Sequence, residues 1–228
     1  MPLLRRSGQF DLFVSATYVL FLGVIGGLML VESLNHEKMS GETESTVLGP
    51  FYIPNAPEYD YGANICLDGK GEPVWVFGKV IDNKGRPIPG AKLEVWQANE
   101  DGFYDVQQPG IQPRWNNRGR FVTGPDGKYR FVGIKPVSYP IPDDGPVGRM
   151  LGQLGRHPYR PAHMHYLVTA PGFKKIVTHT FVGGDPYLES DTVFGVKQTL
   201  VAPFERAHGA TEWRSPFDFV MVPETALT

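Results

Sequence analysis

Two of the six histidines in this chain, His163 and His165, stand two residues apart in the stretch RPAHMHYLV. On a β-strand, residues i and i+2 share a face about 6.6 Å apart, so two imidazoles there can reach one metal ion without bending the backbone. A His-x-His pair alone is a weak signal and needs further donors. Two long irregular stretches, 99–119 and 135–161, each carry a tyrosine, Tyr104 and Tyr139. Phenolate oxygen is a hard anionic donor that suits a ferric ion, and imidazole suits iron as well. Two phenolates and two imidazoles would supply Fe(III) with four ligands, and the phenolates would offset two of its three charges. With ten tyrosines in the chain, residue type alone leaves many other pairings open.

The elements that must position these side chains read as short strands. VWVFGKVID (74–82) and AKLEVWQA (91–98) are rich in β-branched and aromatic residues and are joined by the turn-forming NKGRPIPG. GRFVTG, KYRFVGI, MHYLVTA, KKIVTHTFV, QTLVA and FDFVMV are further strands, with a tight turn at GPDG (124–127) between the first two. Frequent turns, helped by 27 glycines and 21 prolines, and no intervening helical pattern predict a mainly β fold, an antiparallel β-sandwich. Loops as long as 99–119 and 135–161 inside a compact domain are usually functional.

The totals exclude some classes of function. A net charge of −2 with scattered Lys and Arg gives no electrostatic reason to expect a nucleic-acid partner. The single cysteine, Cys66, rules out an intrachain disulfide framework and fits a reducing compartment; it reads as a half-buried small side chain, not a nucleophile. Residues 12–31, LFVSATYVLFLGVIGGLMLV, lack any charge, are long enough to span a bilayer, and follow Arg5 and Arg6. The same run also fits a helix that is apolar all round because it packs on the domain or on a second subunit. The expected organisation is an N-terminal apolar helical segment over 1–40 and a sandwich domain over 41–228.

TESTVLGPFY, GKVIDNKGRPIPGAKLEVWQANEDGFYD, SYPIPDDGPVG, RHPYRPAHMHYLV and GGDPYLESDTVFGVK together resemble the intradiol ring-cleavage dioxygenases of catechols. The resemblance runs from about residue 41 to 222 and lies nearest the hydroxyquinol 1,2-dioxygenases, then the catechol 1,2-dioxygenases. It implies a prealbumin-like sandwich holding Fe(III) through Tyr104, Tyr139, His163 and His165, with Arg160 facing the substrate ring. It further implies a pocket lined by Val47, Leu48, Gly49, Pro50, Phe51, Ile141, Pro142 and Val193. His179 stands where catechol dioxygenases commonly carry glutamine and is implied to touch substrate. His157 and Tyr159 flank the histidine pair but match no ligand position. The implied partners are a small aromatic diol and O2, with the ring cut between its hydroxyl-bearing carbons to a muconate or maleylacetate-type dicarboxylate.

The family's longer helical N-terminal region forms its dimer contact, which implies a homodimer; the resemblance of 29–36 to a soluble helix favours a cytoplasmic location, with a membrane anchor through 12–31 the less favoured alternative. MLVESLNH resembles the end of the family's linker helix, whereas SATYVLFLGVIGG matches poorly, as a truncated or misjoined N-terminus would. The hydroxyquinol group carries an aspartate on that helix, and this chain has none between Asp11 and Glu32. Two competing readings differ in class: a metal-free prealbumin-like binding module on the same scaffold, and a zinc or ferrous site using His163, His165 and a carboxylate.

Overall fold

The computed structural model describes residues 41–224. Two β-sheets face each other across one apolar core. In the first, β1 (Pro73–Asp82) lies antiparallel to β4 (Lys128–Ile134) and carries two short strands along its other side, β10 (Trp213–Pro216) and β11 (Phe219–Met221). The second sheet has the order β3-β2-β7-β8-β9: Arg118–Val122, Lys92–Trp96, His163–Thr169, Ile176–Val182 and Val201–Ala202. The turns at 83–90 and 124–127 each carry the chain from one sheet to the other, so they form corners of the sandwich and not hairpins within a sheet.

Alternation along each strand decides which residues meet in the middle. Val74, Val76 and Val80 of β1 with Tyr129 and Phe131 of β4 face Leu93, Val95, Met164, Tyr166, Val168 and Ile176 of the second sheet. Fully burying each aliphatic or aromatic side chain of this kind stabilises the fold by roughly 1.5–3 kcal/mol. At the 83–90 corner, the Asp82 carboxylate accepts the backbone N–H groups of Lys84 and Arg86 at 2.9 Å each and the Arg86 guanidinium at 2.6 Å.

The sandwich and its main strands agree with the sequence reading. Three features depart from it. The sheets are mixed, because β1 runs parallel to β10 and β11, and β8 runs parallel to β9. β9 and β10 arrive after long connections, and β11 continues β10 in the same direction after two residues, so no tight turn forces them antiparallel. A helix, α1 (Pro146–Gln153), interrupts the stretch 135–161. Proline at its first position suits a helix start, but Gly148 and Gly152 inside it suppress the helical pattern that the sequence would otherwise display. The same stretch holds a two-residue ladder in which β5 (Tyr139–Pro140) pairs with β6 (Tyr159–Arg160). Among the described residues, no helix is long and apolar enough to cross a membrane. The run 12–31 and the proposed 1–40 segment lie outside those residues.

Candidate metal centre

Strand β7 is buried on both faces. Met164, Tyr166 and Val168 point into the core, and His163 and His165 point the other way, towards the loops. Register then builds a row across the sheet. Trp96 of β2 pairs with His165 on one side and with Arg118 of β3 on the other, and His179 of β8 pairs with His165. Arg118, Trp96, His165 and His179 thus lie side by side on the outer face. The indole of Trp96 stacks on the His165 ring at 4.9 Å and 15°.

The two loop tyrosines are delivered onto this face. Tyr104 follows a turn in which Asn99 bonds back to the Phe103 N–H, and its own N–H is held by Gln107 Oε1 at 2.9 Å. Gly102 in that turn has φ +83°, and a Cβ there would lie 2.6 Å from Tyr139 Cβ, so only glycine lets the two loops close together. Tyr139 comes in on β5, paired with Arg160. The phenol oxygens of Tyr104 and Tyr139 end 3.0 Å apart, and Tyr139 Oη lies 3.2 Å from His163 Nε2. The His165 ring centroid is 4.9 Å from that of His163 and 6.0 Å from that of Tyr104.

The donor set fits an iron ion. The Nδ1–H of His163 donates to the Pro161 carbonyl at 2.6 Å, which fixes the tautomer and leaves the Nε2 lone pair facing the phenols. His165 Nδ1 and His179 Nε2 are buried without a hydrogen-bond partner, a costly arrangement that a ligand or metal would relieve. Donor atoms of His163, His165 and His179 lie within 4.8 Å of one another, and no carboxylate joins that group among the described residues. Burial, joined by the charges of neighbouring Arg160 and His179, holds the His163 and His165 rings well below the usual imidazole range. Burial and Arg160 pull His179 down to about 3. All three are therefore neutral, the form that ligates metals. Burial pushes the Tyr104 phenol well above its ordinary value, reinforced by Tyr139, and pushes Tyr139 up against the opposing pull of Arg160. Both phenols keep their protons until a cation displaces them.

Arg160 is itself almost fully buried. Its Nη1 donates to His163 Nε2 at 3.1 Å, its Nε faces Asp191 Oδ1 at 3.4 Å, and its Nη2 is buried without a partner. Asp191 also accepts the Gly195 N–H at 2.8 Å, so one carboxylate ties the guanidinium to the loop carrying Val193. Asp185 plays a similar part on the other side. It accepts the Ala162 N–H at 3.0 Å and the Ser138 hydroxyl, gripping the residues just before His163 and Tyr139.

The sequence-predicted wall residues fare unequally. Gly49 touches the site, since a Cβ there would lie 3.0 Å from His165 Cε1, and Phe51 stacks on Tyr104 at 4.5 Å. Val47, Leu48, Pro50, Pro142 and Val193 are exposed, and Ile141 is half-buried. His179 Nδ1 is paired with the Thr46 hydroxyl, which anchors the same strip to β8. His157 and Tyr159 lie apart from the donors, His157 against Ser190 and Tyr159 stacked on Tyr187. Cys66 is half-buried, with its thiol pushed up by burial and Asp68. Nothing in the sequence singles out Trp96, Arg118, Asp185 or Asp191. Trp96 and Arg118 join the site only through strand register, which no local pattern reveals. A cavity of about 360 Å3 lies behind Asp105, lined by Ile53, Val106 and Trp115, and not at the donors themselves.

A family model described as Dioxygenase (Dioxygenase_C) matches residues 47–223. The hydroxyquinol 1,2-dioxygenase of Rhizobium sp. (strain MTP-10005) is 55% identical over 215 residues, covering 90% of this chain and 73% of the relative. The catechol 1,2-dioxygenase of Candida albicans is 38% identical, covering 98% of this chain and 77% of the relative. The solved structure of hydroxyquinol 1,2-dioxygenase from Pseudomonas putida DLL-E4 superposes with a TM-score of 0.79 at 43% identity, covering 91% of this chain and 76% of that one.

Proposed function

Because the chain belongs to the Dioxygenase_C family of intradiol ring-cleavage dioxygenases, we propose that it cleaves a hydroxyquinol-like ring with O2, using Fe(III) held by Tyr104, Tyr139, His163 and His165. Membership sets aside the metal-free binding module. The observation that carries the ligand assignment is the convergence of two phenol oxygens, 3.0 Å apart, on His163 Nε2, 3.2 Å from one of them. Oxygen donors of this kind favour the ferric state, and the absence of a carboxylate from the histidine group among the described residues disfavours the zinc or ferrous reading. Ferric iron held by these residues would supply an electron acceptor for the diol, the chemistry that makes its ring reactive towards triplet O2.

This chain's own residues supply the rest. With its own proton displaced by the bound cation, Tyr139 Oη, facing both Tyr104 and His163, would be placed to take up a proton from an arriving diol hydroxyl. Arg160, fixed by Asp191 and sealed from water, presents a guanidinium to negative charge developing on the ring. His179 Nε2 offers a buried, unpaired nitrogen to a substrate hydroxyl, and Gly49 and Phe51 pack against His165 and Tyr104. The burial of Tyr104, His163, His165 and His179 keeps bulk water off the donors. The wall residues Val47, Leu48, Pro50, Ile141, Pro142 and Val193 form the approach. The reading includes a homodimer, which light scattering of the purified chain checks.

Oxygen uptake by the iron-loaded protein tests the function. Hydroxyquinol, catechol, chlorocatechols and protocatechuate are offered side by side. Uptake is fastest with hydroxyquinol, with both atoms of 18O2 recovered in an acyclic dicarboxylate. Failure of every diol to consume O2, or recovery of a ring-retaining product, rejects the proposal. Arg160→Ala keeps its iron and loses turnover; full turnover in that variant removes the role given to Arg160.

A further inference from the structure

The guanidinium of Arg118 is 1% exposed, sits on the outer row beside Trp96, and has no direct contact with the histidines. Its Nε donates to Asp105 Oδ1 at 2.6 Å, and Asp105 is the covalent neighbour of Tyr104. Its Nη1 donates to the Phe51 carbonyl at 2.7 Å, and the Phe51 ring lies against Tyr104 at 4.5 Å and 23°. Its Cζ stands 5.8 Å from the centre of the Tyr104 ring. One buried cation thus reaches the tyrosine by three routes: the residue after it, the residue stacked on it, and the ring itself. Isolating an ion pair from water is expensive, and a core that needed only volume here would be served as well by apolar side chains. Nη2 is also left buried without a partner, so the group is not optimised for stability alone.

Resting on the ligand set proposed above, we propose that Arg118 is a positioning residue that holds Tyr104 in its metal-binding orientation and fastens it to the substrate-pocket strip at Phe51. The guanidinium, 5.8 Å from the ring centre, also acts electrostatically on the donor electrons that the phenol oxygen would offer a ferric ion. The strip and the ligand are therefore coupled: whatever loosens Phe51 also loosens Tyr104.

The test compares iron-loaded wild type with Arg118→Met and Arg118→Lys, reading the visible tyrosinate-to-iron band, iron per chain, and kcat and KM for the diol. Removing the cation raises the energy of the phenolate donor electrons, so Arg118→Met absorbs at longer wavelength and holds iron roughly 10-fold or more weakly. Lysine keeps the charge and loses the two-pronged grip, so Arg118→Lys keeps the band near its wild-type position while KM rises roughly 5- to 10-fold, the scale of one lost hydrogen bond. A folded Arg118→Met protein with wild-type band, iron content and KM overturns the proposal. Should Arg118→Met not fold, Arg118→Lys decides alone, and a wild-type KM in that variant overturns it. Iron-loaded wild type without any visible band rejects the tyrosine ligands themselves and takes this proposal with them, whereas a normal band with indifferent Arg118 variants rejects only the role of Arg118.

Discussion

The two faces of the five-stranded sheet are built from the same strands and do opposite things. On β7, Met164, Tyr166 and Val168 face a dry core, and His163 and His165, one residue out of step, face the loops. On β8, Ile176, Thr178 and Thr180 alternate with His179 and Phe181 in the same way. The core face is apolar and closely packed. The outer face holds buried polar atoms with no partner, at Trp96 Nε1, His165 Nδ1, His179 Nε2 and Arg118 Nη2. A period of two thus separates stability from chemistry within a few ångströms, and the site tolerates unpaired polar groups because the opposite face supplies the folding energy.

That separation can be broken from either side. The largest effect belongs to the donors. Tyr104→Phe and His163→Ala lose iron on dialysis, and turnover falls by more than the roughly 10- to 100-fold typical of residues that merely support a ligand. The iron-free variants keep a wild-type far-UV circular dichroism spectrum, and a lost fold would show that the two faces are not separable. Met164→Ala, from the other face of the same strand, does the reverse. It lowers unfolding free energy by about 2–5 kcal/mol in urea titrations. Its visible band per bound iron stays unchanged, and a shifted band would mean that core packing tunes the metal directly.

Asp185→Ala is intermediate. It frees the Ala162 N–H and the Ser138 hydroxyl, loosening His163 and Tyr139 together, so chelator competition should show iron held about 10- to 100-fold more weakly. Unchanged affinity would leave the β5–β6 ladder as the sole device that joins those two segments. The smallest effect is at the far corner. Burial pushes the Asp82 carboxyl up, but the Arg86 N–H, the Arg86 guanidinium and the Lys84 N–H outweigh it and hold the group below its ordinary value. A carboxylate depressed in the folded state stabilises it above the unfolded pKa, and that contribution fades as pH falls through the folded one. Asp82→Asn therefore lowers Tm slightly at pH 7 and not at all in strong acid, with iron per chain unaltered. An equal loss at both pH values would assign the effect to shape instead of charge.

Much of this organisation is legible in the residues themselves. Strands β1, β2, β4, β7 and β8 follow from alternation and turn chemistry, and the His-x-His spacing marks the outer face of β7. What escapes is set by distant pairing. Strand register alone brings Trp96 and Arg118 beside His165, and a two-residue ladder aligns Tyr139 with Arg160 although twenty residues separate them in sequence. Helix α1 is hidden by its own glycines, and β10 by its arginine and proline, so both owe their form to what they pack against. Among ten tyrosines, only resemblance to a family distinguishes Tyr104 and Tyr139 in the sequence, and the 3.0 Å approach of their oxygens supports that pairing independently.

The most direct trial is a ferric titration of iron-free protein, followed by visible absorption and by iron bound per chain, in wild type and in Tyr104→Phe. One equivalent should bind with a growing red tyrosinate colour that is weakened or lost with the phenylalanine. Stoichiometric binding without colour, or a colour indifferent to the loss of that phenol, would contradict the four-donor centre.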